Sequence, residues 1–154
     1  MEEIVRRHGT AVYRLAYAYM RNPHDADDVF QDVFLRYAEK APVLRDDEHR
    51  RAWLLRVTIN RCRSHYRSAW WKRVVPLEHA AHLSAPPPDD PALSQALDKL
   101  PAKYRTVIHL SCHEGMGTQE IAALLGIQPV SVRSQLSRAR TMLEELLREE
   151  AKHV

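Results

Sequence analysis

Glycine is scarce in this chain, four residues in 154, and no long apolar run occurs in it. Few glycines and no sustained two-residue alternation argue against a strand-and-turn architecture, while abundant Leu and Ala favour helices. No stretch reaches the roughly 18 apolar residues that a membrane-crossing helix needs. Cysteine is rarer still. Cys62 and Cys112 lie far apart without CxxC spacing, which speaks against a structural disulfide. The opening residues, MEEIVRRHGTAV, carry acids where a secretion signal needs a basic start and an apolar core. The protein is therefore expected to stay in the cytoplasm and insert in no membrane.

Acids are missing altogether from His49 to Leu77, where eight bases occur: Arg50, Arg51, Arg56, Arg61, Arg63, Arg67, Lys72 and Arg73. The preceding segment, Asp25 to Glu48, has the opposite balance, eight acids against three bases. Adjacent blocks of opposite sign suggest two partners, one basic and one polyanionic. The formal net charge of +3 conceals this division.

Helical periodicity predicts a first helix from Glu2 to Arg21, stopped by Asn22-Pro23. A second, with Asp25 as its candidate cap, runs to Lys40, and a third runs from the acids at Asp46–Glu48 to Trp70. Residues 72–91, KRVVPLEHAAHLSAPPPDDP, are too rich in proline for a continuous helix and read as a semi-rigid linker. Helices are expected again at Ala92–Leu100, Ala102–Glu114, Thr118–Leu125 and Pro129–Glu150. The fold class is all-α. It comprises two small helical domains, 1–71 and 92–154, joined by the Pro-rich segment.

Thr118 to Arg140, TQEIAALLGIQPVSVRSQLSRAR, carries the most specific pattern. Ile121, Ala122 and Leu125 form the inner face of a short helix. Gly126 suits a turn that needs positive φ, and Pro129 suits the first position of the next helix. Val132 and Leu136 pack that helix back, leaving Arg133, Ser134, Gln135, Ser137, Arg138 and Arg140 outward. A basic second helix presented in this way fits a DNA major groove, although an ordinary αα-hairpin shares the spacing.

On the second helix Ala26, Val29, Phe30, Val33, Phe34 and Tyr37 cluster on one side, and Asp25, Asp28, Gln31, Asp32, Leu35 and Glu39 on the other. Leu35 within an acidic stripe has the make-up of a protein-docking patch, or of a solvated face with one exposed leucine. Asp25, Asp28 and Asp32 also share a face that could hold Mg²⁺ for phosphodiester cleavage. On the third helix Arg56, Asn60, Arg63 and Arg67 make one stripe opposite Leu54, Leu55, Thr58, Ile59, Cys62, Tyr66 and Ala69. Trp53 and Val57 flank it, and Trp70-Trp71 closes it. Arginines suit phosphates, Asn60 a base edge, and the aromatic rings either stacking or the core. His109, Cys112 and His113 are spaced as a partial zinc set, lacking a fourth ligand, or as packing residues. No cofactor is expected, and no metal site beyond these candidates.

Taken together the motifs resemble a bacterial sigma factor of the small extracytoplasmic-function type. DADDVFQDVFLRYAEKA (Asp25–Ala41) is similar to that family's polymerase-binding helix. RAWLLRVTINRCRSHYR (Arg51–Arg67) is similar to its promoter-melting and minus-ten helix, and Ala96–Leu146 to its minus-thirty-five-binding domain. The resemblance implies a non-enzymatic transcription initiation factor whose partners are core RNA polymerase, promoter DNA and an anti-sigma factor. It implies that Asp28, Gln31, Asp32 and Leu35 dock on the polymerase, and that Arg56, Asn60, Arg63 and Arg67 engage the minus-ten element. Ser131, Arg133, Ser134, Gln135 and Arg138 would face the minus-thirty-five element. Gln128 and Gly117 stand where the family usually has capping serines, and Gln135 where a basic residue is common. The residue pattern alone also admits a one-component helix-turn-helix regulator binding duplex operators, or a Mg²⁺-dependent nuclease.

Overall fold

Arg21 ends the first helix in the left-handed conformation, at φ 52°, with its amide bonded to the Tyr17 carbonyl at 2.7 Å. Asn22 then starts the second. Its side-chain oxygen accepts from the amides of His24 (2.9 Å) and Asp25 (3.0 Å), and Pro23 takes the first helical position. Asn22, not Asp25, is thus the cap. An acceptor one residue before a proline reaches the free amides that follow, whereas Asp25 already lies inside the helix. In this computed structural model, which describes residues 1–40, 43–67 and 90–152, the chain forms α1 (Glu2–Met20), α2 (Pro23–Lys40), α3 (Asp47–Arg67), α4 (Pro91–Lys99), α5 (Ala102–Cys112), α6 (Thr118–Leu125) and α7 (Pro129–Lys152). No strand occurs among the described residues. The expected linker, apart from Asp90 and Pro91, lies outside them, as do Trp70 and Trp71.

One compact unit contains α1–α3 and a second contains α4–α7. In the first, all three helices pack on one another. Val12, Leu15, Ala16, Val29, Val33, Leu54, Leu55 and Ile59 are buried, each large side chain stabilising the unit by about 1.5–3 kcal/mol. Gly9 lies mid-helix, where it costs about 0.5–1 kcal/mol relative to Ala. A Cβ there would meet the Phe30 ring at 3.4 Å, an ordinary van der Waals contact.

Asp47 bridges α1 and α3, accepting from Arg7 and from Arg50, each at 2.6 Å. The hydrogen bond from Arg7 contributes most to holding the Asp47 carboxyl below its ordinary value of 3.8. A depressed carboxyl contributes stability fully above its ordinary value and loses it as pH falls through the depressed one. Asp47→Asn is accordingly expected to lower the melting temperature at neutral pH, with the difference from wild type shrinking through the acid range. Thermal melts against pH check this, and a difference independent of pH would contradict it.

Cys62 is wholly buried, and burial pushes its thiol up to about 12, whereas Cys112 is exposed. Thiolate is the reactive species. A thiol reagent at mildly alkaline pH is therefore expected to label Cys112 and to reach Cys62 only after denaturation, as peptide mass mapping would reveal.

In the second unit, α7 packs against α4, α5 and α6. Asp90 caps α4 through a 2.9 Å bond from the Ala92 amide. The buried Arg105 guanidinium donates to the carbonyls of Leu97, at 3.2 Å, and Leu100, satisfying backbone acceptors at the end of α4. Lys99 meets the buried carboxylate of Glu150 at 2.6 Å, tying α4 to the far end of α7.

Candidate nucleic-acid and protein interfaces

Gly126 closes α6 at φ 70°, its amide bonded to the Ala122 carbonyl at 2.9 Å. The left-handed residue releases the chain from α6, and Pro129 begins α7 three residues later. Ile121, Ala122 and Leu124 are buried on α6, while Leu125 is only half-buried. The inner face is thus rotated from the expected one, because α6 is contacted by both α5 and α7. Gly117 precedes α6 without a side chain to cap it, and the Glu120 carboxylate reaches back to its amide at 3.4 Å.

Val132, Leu136 and Ala139 are buried on α7, which turns Arg133, Ser134, Ser137, Arg138 and Arg140 to the outside. Ser131 and Gln135 are half-buried, so Gln135 is less outward than its position in the sequence suggests. An open groove of about 580 Å³ separates the start of α6 from α7; Gly117, Thr118, Arg133, Ser137 and Arg140 are among its lining residues. The guanidiniums of Arg133 and Arg140 make this groove attractive to an anion.

On α3, Arg56, Asn60 and Arg63 are exposed along one side, with Leu55, Ile59 and Cys62 buried on the other. Among the described residues no acid pairs with Arg56 or Arg63. Arg67 closes α3, and its side chain lies outside the described ones. Trp53 is half-buried and meets the Tyr37 ring edge-on, with centroids 5.7 Å apart. It therefore belongs to the α2–α3 contact more than to a stacking platform.

Leu35 is 61% exposed on α2. Around it the acidic residues are less free than a helical wheel implies. Asp32 is bonded to Arg61 of α3 and lies 3.6 Å from Arg36. Gln31 donates to the buried Asp27 carboxylate at 3.1 Å, and Asp28 is half-buried. Asp25 pairs with the buried His65 at 3.2 Å. The two blocks of opposite charge thus partly neutralise each other within the unit. Arg61 and His65, one turn apart on α3, meet acids two turns apart on α2. Helical spacing could have suggested such pairs, but not which residues of two separate helices would face each other.

The three-aspartate Mg²⁺ set does not assemble, because Asp32 turns to Arg61. In its place Asp25, Asp28 and His65 each bring a ligand atom within 4.8 Å of the others, the one set of this kind among the described residues. His65 is already bonded to Asp25, which accounts for this arrangement as a hydrogen bond between helices. The candidate zinc set does not bring three ligand atoms together either, although the His109 and His113 rings lie 5.1 Å apart. His109 is buried and bonded through Nε2 to Glu114 at 2.8 Å, while Cys112 and His113 are exposed. A buried imidazole that already has a carboxylate partner is a packing residue whose polar atom is satisfied.

Family models match both units: Sigma-70 region 2 over residues 4–72 and Sigma-70 region 4 over residues 91–143. The chain belongs to the sigma-70 family. This sigma factor is 33% identical to the ECF RNA polymerase sigma factor SigE of Mycolicibacterium smegmatis, over 99% of the chain and 62% of that protein. It is 32% identical to the ECF RNA polymerase sigma factor SigM of Mycobacterium tuberculosis, over 95% of the chain and 76% of that protein. The chain thus spans somewhat under two thirds of the first relative's length. Among solved structures it resembles the sigma factor RpoE from Bartonella quintana, crystallised with the anti-sigma factor NepR. That match has a TM-score of 0.75 and 25% identity, covering 96% of each chain. This sigma factor is of the extracytoplasmic-function type. Sigma factors are non-enzymatic transcription factors. Among the described residues no helix is long and apolar enough to cross a membrane.

Proposed function

We propose that this chain directs core RNA polymerase to promoters and opens them, with the residues of domain 1–71 and domain 92–154 divided among three contacts. Leu35, with Asp28, Gln31 and Asp32 around it, docks on the polymerase. Arg56, Asn60, Arg63 and Arg67 engage the minus-ten element, the arginines on phosphates and Asn60 on a base. Ser131, Arg133, Ser134, Gln135 and Arg138 face the minus-thirty-five element, with the groove between α6 and α7 seating backbone phosphate. The 72–91 segment tethers the two halves. An anti-sigma factor is a further partner, by likeness to RpoE, and the work is done in the cytoplasm where polymerase and promoter meet. Bond making belongs to the polymerase, and this chain contributes no catalytic residue.

One observation supports this reading above the others. Two separately packed units each present a helix whose basic face has no intramolecular acid pairing with Arg56, Arg63, Arg133 or Arg138 among the described residues. A one-component regulator needs one such helix and its twofold mate; it has no use for the α3 stripe or for Leu35. In run-off transcription, purified chain added to sigma-free core polymerase is expected to produce discrete start sites from a promoter library. Unaltered, non-specific initiation would overturn the proposal.

A further inference from the structure

Val130 occupies the second position of α7, directly after Pro129, and is 62% exposed. Neither α6 nor the rest of α7 covers it. Its helical neighbours at i+3 and i+4 are Arg133 and Ser134, both exposed, so the three form a continuous surface. Val132, Leu136 and Ala139 hold the opposite face in the core at 0%, 8% and 0% exposure, which prevents α7 from rotating to hide Val130. A β-branched side chain is also a poor choice for helix formation at an exposed position. Its presence there is not explained by the stability of the unit.

We infer that Val130 determines base specificity: its isopropyl group lies against the 5-methyl group of a thymine in the major groove, beside the base or phosphate met by Arg133. The inference rests on the minus-thirty-five reading above and goes beyond it by adding an apolar contact that the basic and polar residues do not supply. Arg133, Arg138 and Arg140 on the same helix make a polyanion the fitting occupant of this face. The first turn of a recognition helix is the part that reaches base edges. Thymine's methyl is the apolar group that those edges offer in the major groove.

The test uses holoenzyme assembled from the full chain and core polymerase. Binding sites are selected from duplexes randomised across the upstream element, and each thymine of the selected element is then replaced in turn by deoxyuracil, which removes only the methyl. At one thymine the replacement is expected to weaken binding by about fourfold, the effect of one buried methyl-sized group. Val130→Ala, at an exposed helical position where Ala is well tolerated, should bind the two duplexes equally. The inference is overturned if no thymine shows the effect, if the selected element contains none, or if Val130→Ala retains the discrimination. In each of those cases the selected element still stands, and with it the minus-thirty-five reading. Failure of holoenzyme to select any element overturns both.

Discussion

Replacing Leu35 by arginine is expected to weaken binding to core RNA polymerase by at least about thirtyfold, which corresponds to roughly 2 kcal/mol, the threshold of an interface hot spot. An exposed leucine ringed by polar groups loses water only when a partner covers it, so its contribution appears in association and not in folding. At 61% exposure the side chain contributes little to the α1–α3 core, and the variant should melt within a few degrees of wild type. Leu35 is a cleaner probe than Asp32, whose carboxylate is bonded to Arg61. An arginine at Asp32 would break that pair and set like charges together, mixing a fold effect with a docking effect. Co-elution with core and a fluorescence titration measure the affinity. An unchanged dissociation constant for Leu35→Arg would remove α2 from the polymerase contact.

Asn60→Ala is expected to reduce promoter opening by about 5- to 150-fold, which corresponds to the roughly 1–3 kcal/mol of a good base contact. Unstacking a base costs a few kcal/mol, roughly, and capture by the protein offsets that cost. Loss of the amide therefore acts on the open state more than on the initial encounter. Permanganate reactivity of minus-ten thymines should fall while duplex binding through the second unit persists. Arg56→Ala or Arg63→Ala should behave differently. Each removes about one single-strand phosphate contact and lowers the magnitude of the salt slope by about 0.7. Normal melting with Asn60→Ala would assign base capture elsewhere on α3.

The faces of single helices were legible in the residues because burial follows a 3.6-residue period. Val29, Phe30, Val33 and Phe34 fall inside, and Leu35 outside, as the spacing predicts. Gly126 and Pro129 were equally plain, since positive φ and a missing amide each leave a residue little choice of position. Exchanges between helices were not legible. Asp32 with Arg61 and Asp25 with His65 involve groups whose partner depends on how elements pack, and a wheel drawn for one helix contains no partner. Asp27 looked like one acid among several but is buried under Gln31. Spacing leaves Trp53 between core and stacking, and the Tyr37 ring meeting it edge-on puts it in the α2–α3 contact. Leu124 displaced Leu125 from the inner face because a helix held by two neighbours need not aim its apolar arc where a single pair would place it.

Residue order alone settled the helical class and the motifs that mark a sigma factor, because these depend on interactions within a few turns of one chain segment. Which charges remain available to outside partners was settled by packing. An acid and a base that look equally exposed in one dimension can cancel in three, as Asp32 and Arg61 do. Leu35, Arg56, Asn60, Arg63, Arg133 and Val130 stay open because the neighbouring helices leave them uncovered.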